Sequence, residues 1–99
     1  MPLLTFGNQN SKDLIVLSAR VHPGETGSSF IIEGFLKEIL ASLPHSQFLR
    51  ERFYFKVVPM INVDGVSRGN YRFSASGVDL NRKWKAPSQQ HHPEIFFLK

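Results

Sequence analysis

Apolar and polar positions alternate along the chain in an order that predicts strand, helix, strand. Residues 14–19 form a short, branched, mostly apolar run, which predicts a strand buried on both faces inside an α/β sheet. Residues 53–61 predict a second strand, in which Pro59 indicates an edge or a strand end. Residues 3–7 predict a shorter strand that ends at the polar, glycine-containing turn after it.

The segment between the two longer strands has helical spacing. Gly34 lies inside this segment and indicates close packing, because a glycine there otherwise weakens the helix. Thr26, Ser28 and Ser29 offer N-cap chemistry before it, and Pro44 ends it or lies just beyond. Two series of apolar residues, each with a period of four, form a broad stripe: Ile31, Phe35, Ile39 and Ile32, Leu36, Leu40.

The second half of the chain predicts less regular structure. Residues 46–52 predict one or two helical turns, and residues 62–88 predict a long structured loop, a feature that is usually functional. Pro93 is well placed to open a helix that reaches the last residue unfinished, which suggests truncation. We therefore expect one partial α/β domain over residues 1–99, with a mixed or parallel sheet, a right-handed crossover and flanking helices.

Composition narrows the class of protein. Hydrophobic residues make up 41% and charged residues 20%, as in ordinary globular chains. The chain has no cysteine, so any metal must be held by His, Asp or Glu. We find no signal-peptide pattern and no apolar stretch of membrane-spanning length, so we expect a cytoplasmic location and no membrane partner.

The net charge of +4 is unevenly distributed. A basic segment, residues 68–85, could meet a carboxylate, an acidic peptide or nucleic acid. The alternative is a solvated loop with no partner. The segment holds one acid, Asp79, against five cations: Arg68, Arg72, Arg82, Lys83 and Lys85.

His22 and Glu25 follow the first long strand, at the end where open α/β sheets place ligand sites. An imidazole and a carboxylate, with a third ligand and a water, complete a catalytic zinc site. The Pro23-Gly24 pair bends the backbone so that both side chains can converge on one ion. The alternative is a surface histidine and a glutamate that favours a helix N-terminus.

Three later residues could act on a peptide substrate. Arg72 could stabilise an oxyanion, and Arg82 with Asn81 could bind a chain-terminal carboxylate. In isolation, a loop arginine paired with a nearby acid is the favoured interpretation of Arg72, and a turn is the alternative for the Asp79-Leu80-Asn81-Arg82 segment. His91 and His92 predict a loop pair, although either could supply a third zinc ligand.

Five segments appear in one order with one spacing: ARVHPGET at 19–26, PMINVDGV at 59–66, GNYR at 69–72, GVDLNRKW at 77–84 and HPEIFFLK at 92–99. Together they resemble the M14 family of zinc metallocarboxypeptidases. The resemblance is to the cytosolic carboxypeptidases in particular, which trim glutamates from tubulin and other acidic tails. It implies that the sheet is a fragment of the M14 fold.

The resemblance implies a role for each motif. His22 and Glu25 match two of the three ligands of a single Zn²⁺, and Arg72 matches the arginine that polarises the scissile carbonyl. Asn81 and Arg82 match the pair that binds the substrate's terminal carboxylate. The implied partners are acidic protein C-terminal tails, tubulin-like, and neither nucleic acid nor a membrane.

The resemblance also has departures. Val63 stands where the family has proline, and the family's third ligand and general-base glutamate lie beyond the last motif. We therefore expect residues 1–99 alone to be inactive, and a sheet cut mid-fold to self-associate. One alternative is an inactive relative that binds acidic tails. Another is a nucleic-acid binder that stacks bases on Tyr71, Phe73 and Trp84, which leaves the His22 and Asn81 motifs unexplained.

Overall fold

A three-stranded sheet organises the computed structural model, which describes residues 1–99. The strands are β1 (Leu4–Gly7), β2 (Leu14–Ser18) and β3 (Tyr54–Val58), in the order β1-β3-β2. The helices are α1 (Gly27–Ile39), α2 (Pro44–Arg52), α3 (Val63–Ser67) and α4 (Pro93–Leu98), with a 3₁₀ helix at Leu80–Arg82.

The central strand β3 joins neighbours of opposite direction. β2 runs parallel to it, with Leu17 opposite Val57, and β1 runs antiparallel, with Phe6 opposite Phe55. The α/β class and the parallel pairing of the two longer strands are therefore confirmed. Because parallel strands end at the same sheet edge, the loops after β2 and β3 emerge side by side.

Two apolar clusters hold these elements together. The first lies between the sheet and α1 and contains Ala19, Ile32 and Val57. The second cluster lies at the C-terminal end of β3 and consists of Val58, Ile61, Leu80 and Ile95. Since Leu80 and Ile95 are fully buried there, this cluster fixes the 3₁₀ helix and α4 against the loop after β3.

The prediction that β2 is buried on both faces is wrong. Leu14 and Val16 are 51% and 52% exposed, because only the opposite face of the sheet packs on α1. The strand predicted over residues 53–61 is shorter, Tyr54–Val58, and Pro59 follows a central strand. Pro59 therefore marks a strand end, and the edge interpretation is wrong.

The apolar stripe of α1 is narrower than predicted. Ile31 and Leu40 are 74% and 53% exposed, whereas Ile32 and Ile39 are buried. The prediction of close packing at Gly34 is also wrong, because a Cβ there would meet no atom within 4 Å. No side chain caps α1, and Pro44 begins α2 at its first turn.

The loop predicted over residues 62–88 contains two short helical elements, α3 and the 3₁₀ helix. Pro93 opens α4 as predicted. No helix in this structure is long and apolar enough to cross a membrane.

Candidate active site

The loop after β2 is fixed by backbone hydrogen bonds to the loop after β3. The amides of Ile61 and Asn62 donate to the carbonyls of Ala19 and Arg20 at 2.9 and 3.0 Å. The fully buried Asn62 side chain donates to the Val21 carbonyl at 3.3 Å and accepts from the Gly65 amide at 3.0 Å. The backbone that leads to His22 is therefore tied to the loop after β3.

Close contacts fix the turn that follows. A Cβ on Gly65 would lie 2.5 Å from Pro23 Cγ, so only glycine allows this approach. The Gly24 amide donates to the Tyr71 carbonyl at 2.7 Å, and a Cβ on Gly24 would lie 2.3 Å from the Tyr71 ring. Segments from three loops thus meet around residues 22–25.

His22 lies between two carboxylates. It is 7% exposed, and its Nδ1 is 2.8 Å from Glu25 Oε1. Its Nε2 is 3.2 Å from Asp79 Oδ1. Because the two nitrogens lie on opposite sides of the ring, Glu25 and Asp79 approach different ends of His22.

Asp79 joins the later motifs to His22. Its Oδ1 accepts hydrogen bonds from His22 Nε2 and, at 3.0 Å, from the Asn81 amide. Its Oδ2 accepts a hydrogen bond from Arg72 Nε at 2.9 Å and forms a salt bridge with Arg72 Nη2, also at 2.9 Å. One carboxylate therefore places His22, Arg72 and the 3₁₀ helix together.

The Asp79 carboxyl is held in its ionised form. Burial raises its pKa, but hydrogen bonds from His22, Arg72 and the Asn81 amide, with the Arg72 charge, lower the pKa below its ordinary value of 3.8 overall. A stable anion at this position keeps an acceptor on His22 and a counter-ion beside Arg72.

Asn81 and Arg82 present unused donors. Asn81 Oδ1 accepts from Trp84 Nε1 at 2.9 Å, which orients the amide and leaves its NH₂ group without a protein partner. Arg82 is exposed, and its side chain makes no hydrogen bond or salt bridge in this structure. Arg72 remains 40% exposed although Asp79 binds it.

Comparison with known proteins identifies the family. Residues 1–95 match the family described as zinc carboxypeptidase, peptidase M14. This chain belongs to the zinc carboxypeptidase family. The predicted resemblance to cytosolic carboxypeptidases is confirmed as well, because the chain is 49% identical over 89 residues to cytosolic carboxypeptidase 1 of Mus musculus.

Other zinc carboxypeptidases agree with this assignment. Cytosolic carboxypeptidase 2 of Mus musculus is 53% identical over 89 residues. A metallo-carboxypeptidase from Burkholderia cenocepacia superposes with a TM-score of 0.89 at 36% identity, covering 97% of this chain and 27% of that one. This likeness confirms the prediction of a partial M14 fold.

The chain spans a small part of these relatives. The matched region spans 90% of this chain but only 7% and 10% of the two mouse proteins. The chain therefore matches one segment of each of these relatives.

The family implies zinc, and the donors around His22 fit that ion in part. A neutral imidazole carries one N–H, so His22 can donate to only one of its two carboxylates. If it donates to Asp79, its Nδ1 lone pair and the Glu25 carboxylate face each other, and a cation suits such a pair. A carboxylate behind a metal-binding histidine is a common supporting contact.

No group of three His, Asp or Glu side chains in this structure is placed to hold one metal ion. Asp79 bonds the opposite side of the imidazole from Glu25 and therefore cannot share an ion with it. His92 Nδ1 accepts from the Ser88 amide at 3.1 Å, within its own loop. The suggestion that His91 or His92 completes the site has no support from these contacts.

The structure brings His22, Arg72 and Asn81 together through Asp79, and Glu25 joins them through His22. The only sequence signal for Asp79 was its position as the single acid in the basic segment of residues 68–85. Asn62 was missed too, because a polar residue in a turn-rich segment gives no sign of complete burial.

Proposed function

We propose that residues 1–99 form part of the catalytic domain of a cytoplasmic zinc carboxypeptidase that removes C-terminal glutamate from acidic protein tails such as that of tubulin. His22 and Glu25 are two of its zinc ligands. Arg72 acts on the scissile carbonyl, and Asn81 with Arg82 binds the terminal carboxylate. Membership of the family supports the reaction class. Contacts with Asp79 support the roles of His22 and Arg72, and free side-chain donors support those of Asn81 and Arg82.

The observation that carries the proposal is the double contact of Asp79. Its Oδ1 holds His22 Nε2 and its Oδ2 holds two nitrogens of Arg72. Histidine and arginine are thereby kept at one carboxylate, as a site that binds a metal and a polarised carbonyl oxygen together requires.

Zinc at His22 and Glu25 would supply a Lewis acid for the substrate carbonyl and would make a bound water more acidic. The chain's own residues have separate tasks. Asp79 keeps the proton of His22 on Nε2 and leaves the Nδ1 lone pair free for the metal. Arg72 is charged and partly exposed, so its free Nη1 can donate to an oxyanion while Asp79 holds its other nitrogens.

Asn81 and Arg82 suit a terminal carboxylate. A guanidinium offers a planar fork that matches a carboxylate, and the free amide NH₂ of Asn81 adds a neutral donor. Lys83 and Lys85, on the same segment, add positive charge without acidic partners. This charge favours acidic over basic substrate tails.

We further propose that residues 1–99 do not turn over substrate by themselves, since no three possible ligands are grouped in this structure. The third ligand and a general base would come from outside this segment. The alternative function is binding of acidic tails without hydrolysis, which the free donors of Asn81 and Arg82 also support.

Binding of a glutamate-ended peptide to the 99-residue chain tests the carboxylate site. We expect Arg82→Ala to weaken binding at least about tenfold, because hydrogen bonds to charged groups contribute roughly 1.5–3 kcal/mol. Fluorescence anisotropy measures this loss. Lys12→Ala is the matched control, since Lys12 is an exposed cation outside the basic segment.

The same peptide with an amidated C-terminus separates two explanations. If wild-type chain binds both peptides equally, general charge attraction explains the binding and the carboxylate role of Arg82 is wrong. Peptide hydrolysis by the zinc-loaded 99-residue chain would contradict the expectation that it lacks turnover.

A further inference from the structure

Arg20 has the most unusual backbone conformation in the chain. It is the one non-glycine residue with positive φ, at 55°. L-residues with a Cβ rarely adopt this left-handed conformation, and it persists where surrounding contacts enforce it. Arg20 lies between the end of β2 and His22, so its conformation sets the direction in which the chain enters the site.

The side chain of Arg20 folds forward over the turn that follows. Its Nε and Nη2 donate to the Pro23 carbonyl at 3.0 and 2.7 Å, and its Nη1 donates to Ser29 Oγ at 2.8 Å. Its backbone amide donates to Ser28 Oγ at 3.2 Å. Arg20 thus connects the strand end, the turn and the first turn of α1.

The Pro23 carbonyl is a sensitive point of the turn. It belongs to the Pro23-Gly24 peptide, which lies between His22 and Glu25, and the His22-Pro23 peptide before it has no N–H to be held by. The N–H of the Pro23-Gly24 peptide, on Gly24, donates to the Tyr71 carbonyl. Two opposed contacts therefore fix the backbone between the two proposed zinc ligands.

We propose that Arg20 is a positioning residue, which holds the turn between His22 and Glu25 in the conformation that brings both side chains to one ion. This inference rests on the proposed zinc function. The Arg20 side chain makes no hydrogen bond to either proposed zinc ligand, and it reaches the turn between them through the Pro23 carbonyl.

The contacts suggest three variants of the 99-residue chain. Arg20→Gln removes the guanidinium but keeps a side chain with the same difficulty at positive φ, so backbone strain stays equal. Arg20→Lys keeps the charge but cannot reach Pro23 and Ser29 together with a planar fork. Ser29→Ala removes only the Nη1 acceptor and is the matched control.

Zinc titration by calorimetry and amide hydrogen exchange on the metal-free chain provide two readouts. We expect Arg20→Gln to weaken zinc binding roughly tenfold, the scale seen when supporting contacts of metal ligands are lost. Arg20→Lys should show a smaller loss, and Ser29→Ala should stay near wild type. Without metal, the Gly24 and Glu25 amides should exchange faster in Arg20→Gln than in Ser29→Ala.

The outcomes distinguish failure of the proposed role of Arg20 from failure of the proposed zinc site. Equal zinc affinity and equal exchange in wild type and folded Arg20→Gln would overturn the role of Arg20. If wild type binds no zinc, the proposed metal site fails, while the exchange rates still decide whether Arg20 holds the turn. If Arg20→Gln does not fold, Arg20→Lys decides by the same measurements.

Discussion

Asp79 is the residue on which most of the site depends. It accepts hydrogen bonds from His22, Arg72 and the Asn81 amide, and its side chain is only 14% exposed. We expect Asp79→Asn to lower the free energy of unfolding by about 1–3 kcal/mol, because it leaves partly buried charged donors poorly satisfied. Urea denaturation at neutral pH measures this. Asp64→Asn, an exposed aspartate whose side chain makes no hydrogen bond, is the control.

The difference in unfolding free energy between wild type and Asp79→Asn should depend on pH with a defined sign. The pKa of Asp79 lies below its ordinary 3.8 in the folded chain. A carboxyl of this kind contributes stability above its unfolded pKa and loses it as the pH falls through the folded value. The stability difference between wild type and Asp79→Asn should therefore shrink below pH 3.8. A difference that stays constant down to the lowest pH would contradict the role of the Asp79 charge.

At this scale the sequence predicted residue types better than their partners. His22, Glu25, Arg72 and Asn81 were singled out, and the structure gathers them. Asp79 and Arg20 were not singled out, because their importance lies in contacts that form only in the fold. Asp79 contacts His22, which is 57 positions away, and Arg20 contacts the Pro23 carbonyl, three positions away. Spacing in the sequence does not reveal which carboxylate a folded loop brings to a histidine.

Two glycines test how the elements fit together. Gly65 lies where α3 approaches the turn after β2, and a Cβ there would come within 2.5 Å of Pro23 and Asn62. We expect Gly65→Ala to destabilise the chain by about 1–3 kcal/mol through overpacking. Gly34→Ala, in an open position of α1, should stabilise it by roughly 0.5–1 kcal/mol.

Thermal or urea unfolding of both alanine variants gives the comparison. The same chemical change should therefore shift stability in opposite directions at the two positions. Equal shifts for the two variants would show that the loop after β3 does not pack tightly against the turn around Pro23.

Helix and strand positions were predictable where local pattern decides them. The apolar period of four predicted α1, and the branched apolar run predicted β2, since both depend on near neighbours. The exposure of Ile31, Leu14 and Val16 was not predictable, because it depends on which other elements cover each face of the sheet or helix. In this structure none does, and those side chains are exposed.

The open face of the sheet has a consequence for the whole molecule. Leu14 and Val16 are apolar and half-exposed on β2, which is an edge strand. Exposed apolar edges promote association between chains. We expect Val16→Glu to reduce self-association in sedimentation velocity, and the new carboxylate lies opposite Lys56.

Thr5→Glu is the control for this prediction. Thr5 also lies opposite Lys56, on β1, so it adds the same charge without removing an apolar side chain. If both variants reduce association equally, net charge and not the apolar face of β2 explains the change.

Zinc titration of the 99-residue chain by calorimetry tests whether His22 and Glu25 hold zinc. We expect one weak site per chain, lost in His22→Ala and kept in His45→Ala, an exposed histidine paired with Glu38. Absence of zinc binding by wild type, or equal binding by wild type and His22→Ala, would show that His22 and Glu25 do not form a zinc site.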